Sequence, residues 1–194
     1  MRKGFTLIEL LVVITVIAIL SAVVIGSFGE SQAQARDNAR LADLVNVQLA
    51  LERYRADNGR YPEQGCGGST SWTGPGPNSP SWGNNDPCPE YIVGLVPEYL
   101  SKLPTDPRFN DVDEIGFLYG VNDDGSAYKF MAHWSMEVTT TDLDREFVRC
   151  PAICREAESF PGDGWCVDNM DDFEPGSGIR NRTAAVYSHG AECW

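Results

Sequence analysis

No proline occurs before Pro62, and the only charged residue within 5–28 is Glu9. The missing prolines remove the commonest cause of a helix break from the first third of the chain. The missing charges exclude an ordinary solvated surface for the stretch FTLIELLVVITVIAILSAVVIGSF. Basic residues are scarce as well: 15 Lys and Arg stand against 28 Asp and Glu, a formal net charge of -13. That balance excludes bulk electrostatic binding to a nucleic-acid backbone, which depends on clustered Lys and Arg. The only histidines, His133 and His189, lack a metal-type spacing, and no GxSxG, HExxH or phosphate-binding glycine loop occurs. Gly176-Ser-Gly178 reads as a turn. Neither an enzyme nor a tightly bound cofactor is expected.

What is present divides sharply. The 194 residues suffice for one membrane-spanning element and one head of ordinary size. At about 1.5 Å per residue, 5–28 makes roughly 36 Å of helix, enough to cross a hydrocarbon core of about 30 Å. Arg2 and Lys3 precede it and GESQAQARDNAR follows, so positive-inside reasoning puts the N-terminus in the cytoplasm and the head outside. All six cysteines (Cys66, Cys88, Cys150, Cys154, Cys166 and Cys193) lie beyond the apolar run, an even set that fits disulfides in an oxidising compartment. The acid excess is late: 110–194 carries seventeen acidic against six basic residues, which favours solubility and mutual repulsion.

Glu9 is the anomaly. An ionised side chain costs roughly 2.5–3.5 kcal/mol at the centre of a spanning helix. A secretory signal does not explain it, because such an apolar region runs only about 7–15 residues before its cleavage site. A plain anchor explains the length but gives no use for the carboxylate. The ordered run Lys3-Gly4-Phe5-Thr6-Leu7-Ile8-Glu9-Leu10 resembles the prepilin signature of type IV pilins and of type II secretion and competence pseudopilins. The resemblance implies cleavage by a membrane prepilin peptidase between Gly4 and Phe5, N-methylation of Phe5, and retention of the apolar helix. The new amine is a cation near neutral pH, and in a staggered stack of helices it can meet a neighbour's Glu9. Two charges desolvated together cost less than either alone.

Past Phe28 the pattern continues without a break. Leu41, Leu44, Val45, Gln48, Leu51 and Tyr54 recur at three- and four-residue steps, so the helix is expected to run to about Asp57 and to stop at Asn58-Gly59. Tyr54-Arg-Ala-Asp-Asn-Gly-Arg-Tyr-Pro62 and Tyr99-Leu-Ser-Lys-Leu-Pro-Thr-Asp-Pro107 are similar to stretches of the major type II secretion pseudopilin and many type IV pilins. Members often carry a proline near the end of the apolar run. Gly26 and Gly29 stand in that region here, and any local opening would use their backbone freedom.

The expected organisation is a leader at 1–4, a membrane and filament-core helix at 5–28, its amphipathic continuation at 29–57, and a head at 58–194. Within the head, 58–90 is a Gly/Pro-rich loop closed by a Cys66–Cys88 disulfide. For a loop of that length cross-linking stabilises by roughly 3 kcal/mol. Trp72 and Trp82 are expected to pack this loop onto the head. The segment 91–149 is expected to hold a short helix at 91–100 and strands at 116–121, 127–134 and 135–141, with Asn122-Asp-Asp-Gly125 as a hairpin connection. The region 150–194 has few apolar runs beyond 183–187, so disulfides are expected to replace a core there. The pairing of Cys150, Cys154, Cys166 and Cys193 stays open. Their spacing lacks the paired CxxC of a zinc ribbon. Weak calcium candidates are Asp168, Asp171 and Asp172, with Asp123-Asp124 a lesser cluster.

The fold expected is α+β and pilin-like: a long N-terminal helix, half transmembrane and half packed on the head, a small antiparallel sheet, and a disulfide-rich C-terminal region. The function expected is a structural subunit of a type IV pilus on the cell surface. Alternatives are a type II secretion or competence pseudopilin and, from another class, a membrane-anchored extracytoplasmic binding module. Partners implied by the resemblance are identical or related pilin subunits, the prepilin peptidase, inner-membrane assembly machinery, and membrane lipid before assembly.

Overall fold

A computed structural model describes residues 6–66, 72–75, 88–109, 115–138, 147 and 183–191, without the side chains of 22–27. One helix, α1 (Leu7–Asn58), accounts for 52 of them, about 78 Å at the usual rise. Its start and stop are written locally. Thr6 is the N-cap, and Gly59, with φ 75, closes the last turn by donating its N–H to the Arg55 carbonyl at 2.8 Å. Gly supplies that left-handed conformation at no steric cost. The helix runs one residue past the expected end.

The two halves of α1 have different surroundings. From Leu7 to Leu20 the large apolar side chains are exposed, Leu7 at 83% and Leu20 at 61%. From Asp37 onward one face is covered: Leu44, Val47, Ala50 and Leu51 are buried against the head. Among the described residues no helix is long and apolar enough to cross a membrane. Within the apolar run Phe5 and the side chains of 22–27 lie outside the described residues, so a span at 5–28 rests on the sequence.

Three strands form an antiparallel sheet in the order β1-β2-β3: β1 (Gly116–Val121), β2 (Tyr128–His133) and β3 (Ala184–Tyr187). Asn122–Ala127 joins the first two, with Gly125 at φ 69 donating to the Asn122 carbonyl. Alternation sorts the side chains. Phe117, Tyr119, Tyr128, Phe130, Ala132, Ala184 and Val186 join the cluster containing the α1 face, with Phe117 and Phe130 stacked at 5.3 Å. Leu118, Met131 and Ala185 lie on the opposite face beneath Trp72. The Cys66–Cys88 disulfide is formed, with Cα atoms 5.9 Å apart. Trp82 and the other four cysteines lie outside the described residues.

Three local expectations need correction. The segment 91–100 folds as successive turns rather than a helix; Pro97 within it follows a cis peptide bond and has no N–H to give a helical ladder. Residues 135–138 are irregular, and the third strand of the sheet is instead Ala184–Tyr187; 139–141 are not described. Ser135–Val138 is irregular because α1 takes its backbone N–H groups, as described below. Finally, Val45 faces outward at 37% exposure while Val47 is buried, so the apolar stripe runs Leu44, Val47, Leu51.

Candidate functional site

At its free end, α1 puts Glu9 to immediate use. The Glu9 carboxylate accepts from the Thr6 backbone N–H and the Thr6 hydroxyl, both at 2.8 Å, while the Thr6 hydroxyl accepts the Glu9 N–H at 3.3 Å. This reciprocal capping box satisfies donors that the first helical turn leaves without partners. It also turns the carboxylate back over Thr6, toward the N-terminal end of the helix. Gly4 and Phe5, the residues of the expected cleavage, lie outside the described residues, as do Asp168, Asp171, Asp172, Cys150, Cys154, Cys166 and Cys193. Among the described residues no group of three or more His, Cys, Asp or Glu is arranged to hold a metal.

Where the helix enters the head, the two motifs that carried the resemblance come together. Tyr54 packs edge-on against Tyr99 at 5.3 Å. The Tyr99 hydroxyl donates to Asp57 at 3.1 Å and accepts from the Asn58 amide at 3.3 Å. Tyr61 donates to Glu52 and accepts from Arg55. Below these, Tyr119 and Tyr91 donate to the carbonyls of Pro62 and Pro104, each at 2.8 Å. Burial pushes both phenols well above their ordinary range, so they stay neutral donors.

Sequence reasoning missed the largest polar feature. Arg40 is fully buried. Its Nε and Nη2 grip Asp106 in a two-pronged pair at 2.7 and 2.9 Å, and its Nη1 reaches Asp37 at 2.6 Å and Glu137 at 2.9 Å. Arg36 holds Glu137 from the solvent side at 2.7 and 2.6 Å, and Arg108 adds a contact at 3.2 Å. Asp37 in turn accepts the backbone N–H groups of Glu137 and Val138, which is why that segment does not extend the sheet. Three arginines thus face three carboxylates. Burial alone would lower the Arg40 pKa, but its hydrogen bonds to the carboxylates of Asp106, Glu137 and Asp37 more than offset that and leave it raised. Burial likewise opposes ionisation of Asp106, yet Arg40 and the Arg108 N–H hold its carboxyl below the usual range. The Arg36 hydrogen bond, with Arg40 behind it, pulls Glu137 down to about 2.

A spacing signal was available. Arg40 precedes Leu44 by four positions, Val47 by seven and Leu51 by eleven, so it lies on the apolar stripe, where a charge needs a partner.

Acid should therefore loosen the head. A depressed carboxylate pKa contributes stability that is present above its unfolded value near 4.5 and is lost as pH falls through its folded value. For Glu137, going from 4.5 to about 2, this amounts to at most about 3 kcal/mol. Asp106 acts in the same direction, whereas Asp43, raised by its own burial, opposes it weakly. The urea midpoint of the head should fall steadily between pH 5 and pH 2, and Glu137→Gln should flatten that profile. An unchanged profile in Glu137→Gln would remove Glu137 as its source.

A family model described as "Prokaryotic N-terminal methylation motif" matches residues 1–25. The chain is 32% identical to the type II secretion system core protein G of Dickeya chrysanthemi over 55% of its own length and 63% of that protein. It is 32% identical to the Klebsiella pneumoniae protein of the same name over 57% and 71%, and 30% identical to that of Aeromonas hydrophila over 56% and 69%. It thus spans less than two thirds of the Dickeya relative. No solved structure matches the chain. The relatives are named as core proteins of a secretion system. With a methylation motif at residues 1–25 and relatives of this extent, the chain belongs to the type II secretion system core protein G family of prepilin-type, pilin-like proteins.

Proposed function

We propose that the chain is a pseudopilin, a structural subunit of the type II secretion filament rather than of a surface type IV pilus. The observation that carries this reading is the joining, in one chain, of the methylation motif at residues 1–25 to a 52-residue helix that is exposed and apolar at one end and clamped to a head at the other. The relatives named as secretion core proteins favour the secretion machine over the surface pilus. In this reading the prepilin is cut after Gly4 by a prepilin peptidase and Phe5 is methylated. The segment 5–28 holds the subunit in the membrane with its head on the outer side. Inner-membrane assembly machinery then packs it against related subunits, burying the Leu7 to Leu20 side chains. Apolar surface moved from lipid to neighbouring helices stays dry, and the acidic heads stay solvated.

Two measurements on the producing cell test this. Mass spectrometry of the membrane-extracted subunit should find a methylated Phe5 at the N-terminus. Deleting the gene should leave exported enzymes trapped behind the outer membrane while surface fibres persist. Lost fibres with normal secretion would return the chain to a surface pilus, and an intact Met1 would favour an anchored binding module.

A further inference from the structure

We infer that the Arg40 network is a register lock, a polar device that fixes where α1 sits along the head, with Arg40 as the positioning residue. The apolar contacts beside it cannot do this alone. Leu44, Val47, Ala50 and Leu51 present a smooth aliphatic stripe, and burial of such surface is non-directional. A slide of one turn, about 5.4 Å, would exchange one aliphatic contact for another.

The same slide would break every bond in the network. The Arg40 fork meets Asp106 through two parallel bonds at 2.7 and 2.9 Å, a geometry that tolerates little displacement. Its remaining prong bridges Asp37 on the helix to Glu137 on the head. Asp37 is anchored to the backbone of Glu137 and Val138, and Asp106 is held by the Arg108 N–H at 2.7 Å. Two separate head segments, 106–108 and 135–138, are therefore indexed against one turn of α1. Buried ion pairs contribute little net stability compared with well-packed apolar residues, and setting one arrangement among several is their best-attested use. If the subunit assembles as proposed above, the lock fixes head spacing by helix packing; that consequence alone rests on the assembly reading.

The experiment uses the full chain purified in detergent, so it does not depend on assembly. The far end of α1 reports register: Tyr54 lies fourteen residues beyond Arg40, about 21 Å along the axis, and touches Tyr99. In the double variant Arg40→Met, Asp106→Leu, the head should remain cooperatively folded with the Cys66–Cys88 bond closed. Labelled Tyr54 and Tyr99 should then give several sets of NMR signals in place of one. Arg40→Lys, which keeps the charge and loses the fork, should also lose the single set. Wild-type Tyr54–Tyr99 cross-peaks in both variants would overturn the proposal. So would a double variant that fails to fold, because the network would then be a source of stability rather than of register.

Discussion

Replacing Arg40 by alanine should cost the head about 3–5 kcal/mol, the range seen when one partner of a buried ion pair is removed. Asp106 is almost wholly buried and both prongs of its partner's fork would be gone. Asp37 would lose its guanidinium while still facing the carboxylate of Glu137 across the vacated space. Folded domains are stable by only about 5–15 kcal/mol, so this single change removes a large share. It should match the deletion of a core side chain such as Leu51→Ala, about 2–5 kcal/mol, although Leu51 is the residue that a hydropathy reading would pick. Arg36 is the control. Its side chain is one-third exposed, and Glu137 keeps Arg40 and Arg108 without it, so Arg36→Ala should cost about 1 kcal/mol or less. Urea unfolding followed by tryptophan fluorescence measures both. Equal, small losses for Arg36 and Arg40 would mean that water replaces the buried guanidinium at little cost.

Some of this architecture was legible because the decisive physics is local. The helix end at Asn58-Gly59 needs only a residue that accepts positive φ, and the structure places Gly59 at φ 75. Strand β1 appears over the expected 116–121, since its aromatic and branched residues fit a pleated surface whatever they face. The Cys66–Cys88 bond closes a single loop. Strand β3 was different. Ala184–Tyr187 is short, and its place beside β2 depends on a long-range pairing that no local pattern encodes. Ser135–Val138 misled for the complementary reason: its sequence suits a strand, but the partner that takes its N–H groups is Asp37, about a hundred positions away.

The same distinction explains the site. Thr6 and Glu9 form a capping box of the S/T-x-x-E type, visible in the sequence once the helix start is known. The Arg40 network joins residues separated by 66 and 97 positions, and only its position on the apolar stripe marks it. Besides the Tyr99 hydrogen bonds to Asp57 and Asn58 at its C-terminal end, α1 is held to the head by a smooth apolar contact that supplies most of the burial and by the charged Arg40 contact.

Replacing Glu9 by valine should abolish assembly and leave the head untouched. Glu9 is 28 residues from Asp37, roughly 42 Å along α1, so the head's urea midpoint should equal that of the wild type. In the structure the carboxylate is held by Thr6 alone among the described residues, an arrangement that satisfies a helix end but, on the proposed anchoring, would leave a charge at the membrane. On the proposed processing, cutting Gly4–Phe5 would make a neighbour's Phe5 amine available as a cation, and pairing with it would remove two unfavourable charges at once. Valine costs nothing in lipid and so has nothing to gain from a neighbour; the fraction of subunit that crosslinks into oligomers in cell membranes should fall at least about tenfold, equivalent to about 1.4 kcal/mol per subunit contact. Glu9→Gln separates the two roles of the side chain. Glutamine can still complete the capping box with Thr6, but it carries no charge to pair with an amine. If Glu9→Gln assembled normally, capping would be the function of the residue and the charge pair would be wrong. Gly4→Glu, which blocks cleavage while leaving Glu9 in place, should reproduce the assembly defect, and normal crosslinked oligomers from it would sink the processing step itself.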